Sequence, residues 1–150
     1  MMSNRNKLFV PGLTTKFDMT FIVRKSPDDV FNYISQPDLF VAIHPVIYKI
    51  NELEKGSWRI FEKLRFAGIP LSFNYPASMQ CDATSREIYM QAVVMNVVAI
   101  SLSFQINEHK ENTRINEHIT IKSIFPVHPV IKQVFKNKHK EMFDFLNRQI

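Results

Sequence analysis

Across residues 129–149 the apolar side chains of this sequence recur at helical spacing, and no other long segment does so. Val130, Ile131, Val134, Phe135, Met142, Phe143, Phe145, Leu146 and Ile150 gather on one side of a helical projection, with Gln133, Lys136, Lys140, Asp144 and Asn147 opposite. Pro129 suits the first helical position, where its fixed φ is already helical and its missing N–H costs nothing. Such a helix is roughly 30 Å long, and its stability in water comes from packing its apolar face. A wide, concave surface has to receive it.

Lys138 projects near the middle of the apolar arc and His139 toward its edge. A cation in a packing face is costly unless it is paired or reaches water. Either the helix bends away and Lys138 snorkels, or this stretch lines a polar spot in a cavity.

The surface is supplied by period-two sequence. Residues 16–24 alternate with Phe17, Met19, Phe21 and Val23 on one face, which predicts a strand. Ser26, Pro27, Asp28 and Asp29 then form a helix start, with Ser as N-cap and acids in the first turn, and Pro37 with Asp38 starts a second short helix that His44 and Pro45 end. Further strands are expected over 46–53, 58–66, 71–82, 86–94, 98–107 and 113–124, with a turn around Gly56 and a tight turn at Met95 and Asn96. Pro76 calls for a bulge or an unpaired position. Short connections between alternating strands make neighbours antiparallel, so the expected fold is α+β: a curved seven-stranded antiparallel sheet around a long C-terminal helix, with two short helices between strands 1 and 2. Residues 1–14 read as a flexible N-terminal arm, and 15–150 as a single domain.

Composition narrows the function. The 150 residues include 13 Phe and 7 Met, bulky fillers used in cores and in accommodating pockets alike. The formal charge of +5 is scattered apart from Lys132, Lys136 and Lys140 on the outer helix face, so no nucleic-acid partner is expected. Cys81 is the single cysteine, which excludes an internal disulfide; alternation places it with Met79, as an inert core thiol. The N-terminal apolar run Leu8, Phe9 and Val10 is too short for a signal peptide or a membrane span, so a cytoplasmic location is the default. His44, His109, His118, His128 and His139 lack metal-ligand spacing and there is no phosphate loop or nucleophile elbow, so neither a metal nor a cofactor is expected.

Two carboxylates fall in phase with the apolar faces: Glu62 with Trp58, Ile60, Leu64 and Phe66, and Glu117 with Ile115, Ile119 and Ile121. A carboxylate on an apolar wall has to be paired, hydrogen-bonded or protonated, the setting of a general acid or base, and His139 or Lys138 can supply the partner. A bulge that shifts the phase would turn either Glu outward, and Phe61 leaves this open for Glu62. Trp58, Phe66, Phe73, Tyr75, Met79, Met90, Phe104, Phe135, Lys138 and Met142 are the candidate ligand contacts, with core packing as the competing reading for the apolar ones.

The run Ser26-Pro27-Asp28-Asp29-Val30-Phe31, the Pro37-Asp38 helix start, Thr113 opening the last strand and the closing amphipathic helix resemble the START-like superfamily. This group, also called Bet v 1-like or polyketide cyclase/dehydrase-like, has a helix-grip fold. The resemblance covers residues 15–149 and implies fold more than function, since members bind lipids, sterols, plant hormones, quinones or polyketides and a few catalyse cyclisation or dehydration. It implies a hydrophobic or amphipathic ligand between sheet and helix. The alternatives are a cyclase or dehydratase using Glu117, Glu62 and His139, and an accessory protein that delivers a lipid or quinone at a membrane surface. Oligomeric state is left open.

Overall fold

The computed structural model describes residues 12–149, apart from the side chain of Phe66. The elements run β1 (Leu13–Val23), α1 (Pro27–Ser35), α2 (Pro37–Ile43), β2 (Ile47–Glu54), β3 (Ser57–Phe66), β4 (Ile69–Asp82), β5 (Glu87–Val94), β6 (Val98–His109), β7 (Asn112–Ser123) and α3 (His128–Arg148). The seven strands form one antiparallel sheet in the order β1-β7-β6-β5-β4-β3-β2. This is the expected architecture, and its local causes are those of the sequence. The Ser26 hydroxyl accepts the Asp29 N–H at 3.2 Å, capping α1, and Pro27 and Pro37 occupy first turns. Met95 and Asn96 both have positive φ, 53° and 59°, and Val97 N–H donates to Val94 O at 3.2 Å, a type I′ hairpin turn. Gly56 has to be glycine: its φ is 82°, and a Cβ there would meet the Met79 carbonyl oxygen at 2.7 Å.

Several expectations are corrected. β1 begins at Leu13, three residues before the alternation read in the sequence; the rest of the stretch read as an arm, residues 1–11, and Ile150 lie outside the described residues. β4 begins at Ile69, because Ala67 and Gly68 with positive φ make the turn and leave Pro70 inside the strand. Pro76 takes the second of its two expected options: it pairs with Arg59 on β3 without a bulge and is unpaired on the β5 side, one residue beyond the β4–β5 pairing, where its missing N–H leaves no broken ladder bond. Cys81 is exposed rather than in the core, since the covering elements end short of the last residues of β4. Val130 and Phe145, assigned to the buried helix face, are exposed as well.

The register gives the sheet two distinct ends. Leu13 pairs with Ser123 and Val98 with both Ser123 and Val94, so the start of β1, the β5–β6 turn and the β7–α3 connection share one end with the β3–β4 turn. The β2–β3, β4–β5 and β6–β7 turns and the start of α1 lie at the other. α3 lies closest to β1 and α2. Under its C-terminal half, inward side chains such as Trp58, Ile60, Ile88, Met90, Phe104 and Ile106 are buried with Met142, Phe143 and Leu146. Toward the first end the inward side chains of β3 to β6 become half-exposed, at Leu64, Phe73, Val94, Ile100 and Leu102. α3 still packs there on β1 and β7, where Phe17, Ile119 and Ile121 are buried against Ile131 and Phe135, so the concavity is closed along β1 and β7 and only partly covered over β3 to β6; this less covered end is the open end.

Candidate functional site

β7 runs without a bulge, so alternation carries Glu117 inward between Ile115 and Ile119, opposite Phe104 on β6 and Met19 on β1. The side chain is fully buried. His139 comes down from α3, its ring stacked on Phe104 at 6.3 Å and edge-on to Phe135 at 5.1 Å. Its Nδ1 lies 2.8 Å from Oε1 and 2.6 Å from Oε2 of Glu117. A carboxylate only accepts, so with Glu117 ionised Nδ1 is the donor. Oε1 takes the aligned hydrogen bond, and Oε2, although close, has no aligned donor. His139 Nε2 has no hydrogen-bond partner among the described residues. The pair therefore presents one unused acceptor and one unused ring nitrogen.

Two further groups complete the cluster. His44 ends α2 and lies edge-on to His139 at 5.9 Å. Its Nδ1 accepts the N–H groups of Val46 and Ile47 at 3.2 and 3.1 Å, which fixes the neutral tautomer with the proton on Nε2. Burial, and then the charge of His139, hold its pKa well below the ordinary value. Glu62 also points inward, level with Phe73, and accepts the Tyr75 hydroxyl. Burial pushes the Glu62 carboxyl up, with the Tyr75 bond and the charge of His139 pulling the other way. Burial, reinforced by Glu62, raises the Tyr75 phenol well above its usual range, so at neutral pH it stays a donor. The cluster combines buried acceptors and donors on apolar walls, suited to a ligand hydroxyl or carbonyl and to moving a proton.

Among the apolar candidates, Trp58, Tyr75, Met79, Met90, Phe104 and Met142 are buried, and Phe73 and Phe135 are half-buried at the open end. The side chain of Phe66 lies outside the described residues. Lys138 is not brought into the cluster: it turns outward and pairs with Glu141 at 3.2 Å, while His139 takes the inward position. α3 is rotated by about one residue from the projection read in the sequence. His44 was not singled out as a site residue; a His between a helix end and a proline signals a cap, but nothing local reveals that α3 would bring His139 against it. His118 points outward and pairs with Asp18 at 2.6 Å. Among the described residues no three His, Cys, Asp or Glu groups are placed to hold a metal ion. Two open clefts flank α3: one of about 450 Å³ against β1, lined by Thr20, Phe21, Lys136 and Lys140, and one of about 320 Å³ against α2, reaching His44.

No family model matches the chain, and no curated protein matches it in sequence. Solved structures do resemble it. A START superfamily protein from Mycobacterium smegmatis superposes with a TM-score of 0.73 at 14% identity, covering 88% of this chain and 94% of that one. An aromatase/cyclase from Streptomyces sp. R1128 gives 0.71 at 13% identity, covering 89% and 91%. A Thalictrum norcoclaurine synthase point mutant, in complex with a transition-state analogue, gives 0.66 at 16% identity, covering 93% and 96%.

Proposed function

On the helix-grip fold of the START-like, or Bet v 1-like, superfamily, which this chain has, we propose that the protein binds a hydrophobic or amphipathic small molecule on the inner sheet face beneath α3. The ligand's polar group meets Glu117, His139 and Glu62. The reading is carried by the burial gradient: inward apolar side chains that are packed at one end of the sheet and half-exposed at the other, with a buried polar cluster beside them. A closed core has no use for a carboxylate oxygen without an aligned donor, such as Glu117 Oε2, since a buried polar atom left unpaired costs about 1–3 kcal/mol. Structural neighbours that include an aromatase/cyclase and a synthase in complex with a transition-state analogue support small-molecule binding by this fold.

Uptake is tested with protein stripped of co-purified lipid, by native mass spectrometry and by titration with a fluorescent fatty-acid probe. One probe per chain is expected, and no uptake of any apolar probe overturns the proposal. A double-mutant cycle separates binding from folding. His139→Leu alone strands the Glu117 charge and is expected to cost about 3–5 kcal/mol in urea unfolding, whereas Glu117→Leu with His139→Leu recovers most of that stability. The double variant then keeps apolar probes but loses preference for hydroxylated ones. Equal preference in both proteins removes the pair from ligand recognition.

The same pair favours a second reading, acid–base chemistry on a polyketide-like carbonyl substrate, with His139 Nε2 or Glu62 as the proton-transfer group and Glu117 orienting the imidazole. Under it, Glu117→Gln abolishes cyclisation or dehydration while probe binding persists; turnover that survives Glu117→Gln rules it out.

A further inference from the structure

The two ends of the sheet differ in charge as well as in packing. The segments that build the open end, residues 12–17, 63–72, 91–101 and 119–133, contain five basic residues, Lys16, Lys63, Arg65, Lys122 and Lys132, and no Asp or Glu. At the opposite end charge is mixed: Glu52, Glu54, Asp82, Glu87, Glu108 and Glu111 stand in or beside hairpin turns that also carry Lys55, Arg86 and Lys110.

The open end is also where large apolar side chains stand in water. Leu13, Ile69, Met95, Ile124, Phe125 and Val130 are each 41–75% exposed and come from four separate segments, the start of β1, the β3–β4 turn, the β5–β6 turn and the β7–α3 connection. Scattered surface apolar residues are ordinary, but their convergence on one acid-free rim is not. The register sharpens the picture. Val94 pairs with Val98 and Ala77 with Ala92, so β5 and β6 turn back some six residues before β3 and β4 do, and the β3–β4 hairpin carrying Ile69 and Arg65 projects past the rest of the sheet. Met95 stands at a left-handed position, φ 53°, that a type I′ turn fills best with Asn or Gly. An exposed methionine there is a local cost without a folding benefit.

We infer that this end of the molecule is a docking surface for an anionic lipid bilayer, with Met95, Ile69, Ile124 and Phe125 entering the headgroup boundary and Arg65, Lys63 and Lys132 facing the lipid phosphates. The chemistry fits one partner class: an apolar rim for the acyl boundary, and segments that carry basic residues and no acids for its surface charge. No described helix is long and apolar enough to cross a membrane. The surface also borders the partly covered inner face of β3 to β6, which docking turns toward the bilayer. The docking argument does not depend on the ligand reading, because charge and exposure define the rim whether or not the concavity is filled.

The test uses the full chain and vesicles of phosphatidylcholine with and without phosphatidylglycerol. Co-sedimentation is expected only with the anionic vesicles, weakening as salt rises. Arg65→Glu with Lys132→Glu should weaken partitioning at least about twentyfold, at roughly fivefold per basic charge lost. Met95→Asp and Ile69→Asp should weaken it without moving the thermal midpoint, while Leu53→Asp, exposed at the opposite end, leaves binding unchanged. Absence of binding to anionic vesicles overturns the inference, as does equal loss from the Leu53 control. So does a wild-type dimer in light scattering that Met95→Asp dissociates, which would assign the rim to a second copy of the chain. Probe uptake measured in detergent-free solution reports on the ligand reading separately.

Discussion

His44 shows how much one side chain can hold together. Its Nδ1 accepts two backbone N–H groups, those of Val46 and Ile47, where the chain leaves α2 and enters β2, and a proton on that nitrogen would remove both bonds. The unfolded chain takes up a proton on this residue near 6.5, and the folded protein only at lower pH, because burial and then the charge of His139 oppose it. Below 6.5 the unfolded state therefore binds the extra proton. The His44 contribution to stability is fully present above 6.5 and is lost as pH falls through the folded value, with a limiting slope of about 1.4 kcal/mol per pH unit. Glu62 has the opposite sign: its raised carboxyl favours the folded state at low pH, and that contribution is lost as pH rises through the folded value. Urea midpoints of wild type, His44→Asn and Glu62→Gln between pH 5 and 8 separate the two. The fall below pH 6.5 should vanish in His44→Asn, and its persistence would mean that another group titrates there. The Glu117–His139 pair was legible in part, since strand alternation offered Glu117 to the interior and named His139 as a partner. The helix rotation that sends Lys138 out to Glu141 was not legible. A 3.6-residue period fixes a face only to within about a residue, and tertiary contacts choose within that margin.

Among the elements, those with strong local chemistry fall where the sequence places them. Ser26 with Pro27, Pro37 and the long amphipathic stretch all give helices, and five short turns join β2 to β7 into a meander. Boundaries moved where turn chemistry is carried by residues that do not advertise it. Ala67, Arg86 and Lys110 adopt positive φ at such places, as does Met95 in the one tight turn the sequence did place, although only glycine does so without a steric cost. The β5–β6 hairpin is the place to measure that cost. Replacing Met95-Asn96 by Asn-Gly supplies the preferred type I′ pair, and with both φ values already positive it needs no backbone change. The substituted hairpin is expected to stabilise the protein by about 1 kcal/mol, read as an upward shift of the thermal midpoint. An unchanged or lowered midpoint would show that Met95 makes a folding contact that its exposure conceals.

Across the whole molecule, alternation names the inward residues of every strand but not which of them α3 covers, because the slope of a helix over a twisted sheet is written in no local pattern. Phe104 and Phe73 were equal candidates on that basis. The structure separates them: Phe104 is fully buried between His139 and Phe143, whereas Phe73 stacks on Tyr75 at 6.1 Å and stays half-exposed at the open end. Truncation should therefore act on different properties. Phe104→Ala leaves a cavity in the packed core and is expected to cost about 3–5 kcal/mol of unfolding free energy. Phe73→Ala removes surface that is already partly in water, so it should cost about 1 kcal/mol or less, yet weaken an apolar probe about tenfold if that ring forms part of the ligand's wall. Urea unfolding and probe titration on both variants make a two-by-two comparison. If Phe73→Ala destabilises as much as Phe104→Ala and leaves the probe untouched, the open end is core, and the burial gradient on which ligand binding is argued has no functional meaning.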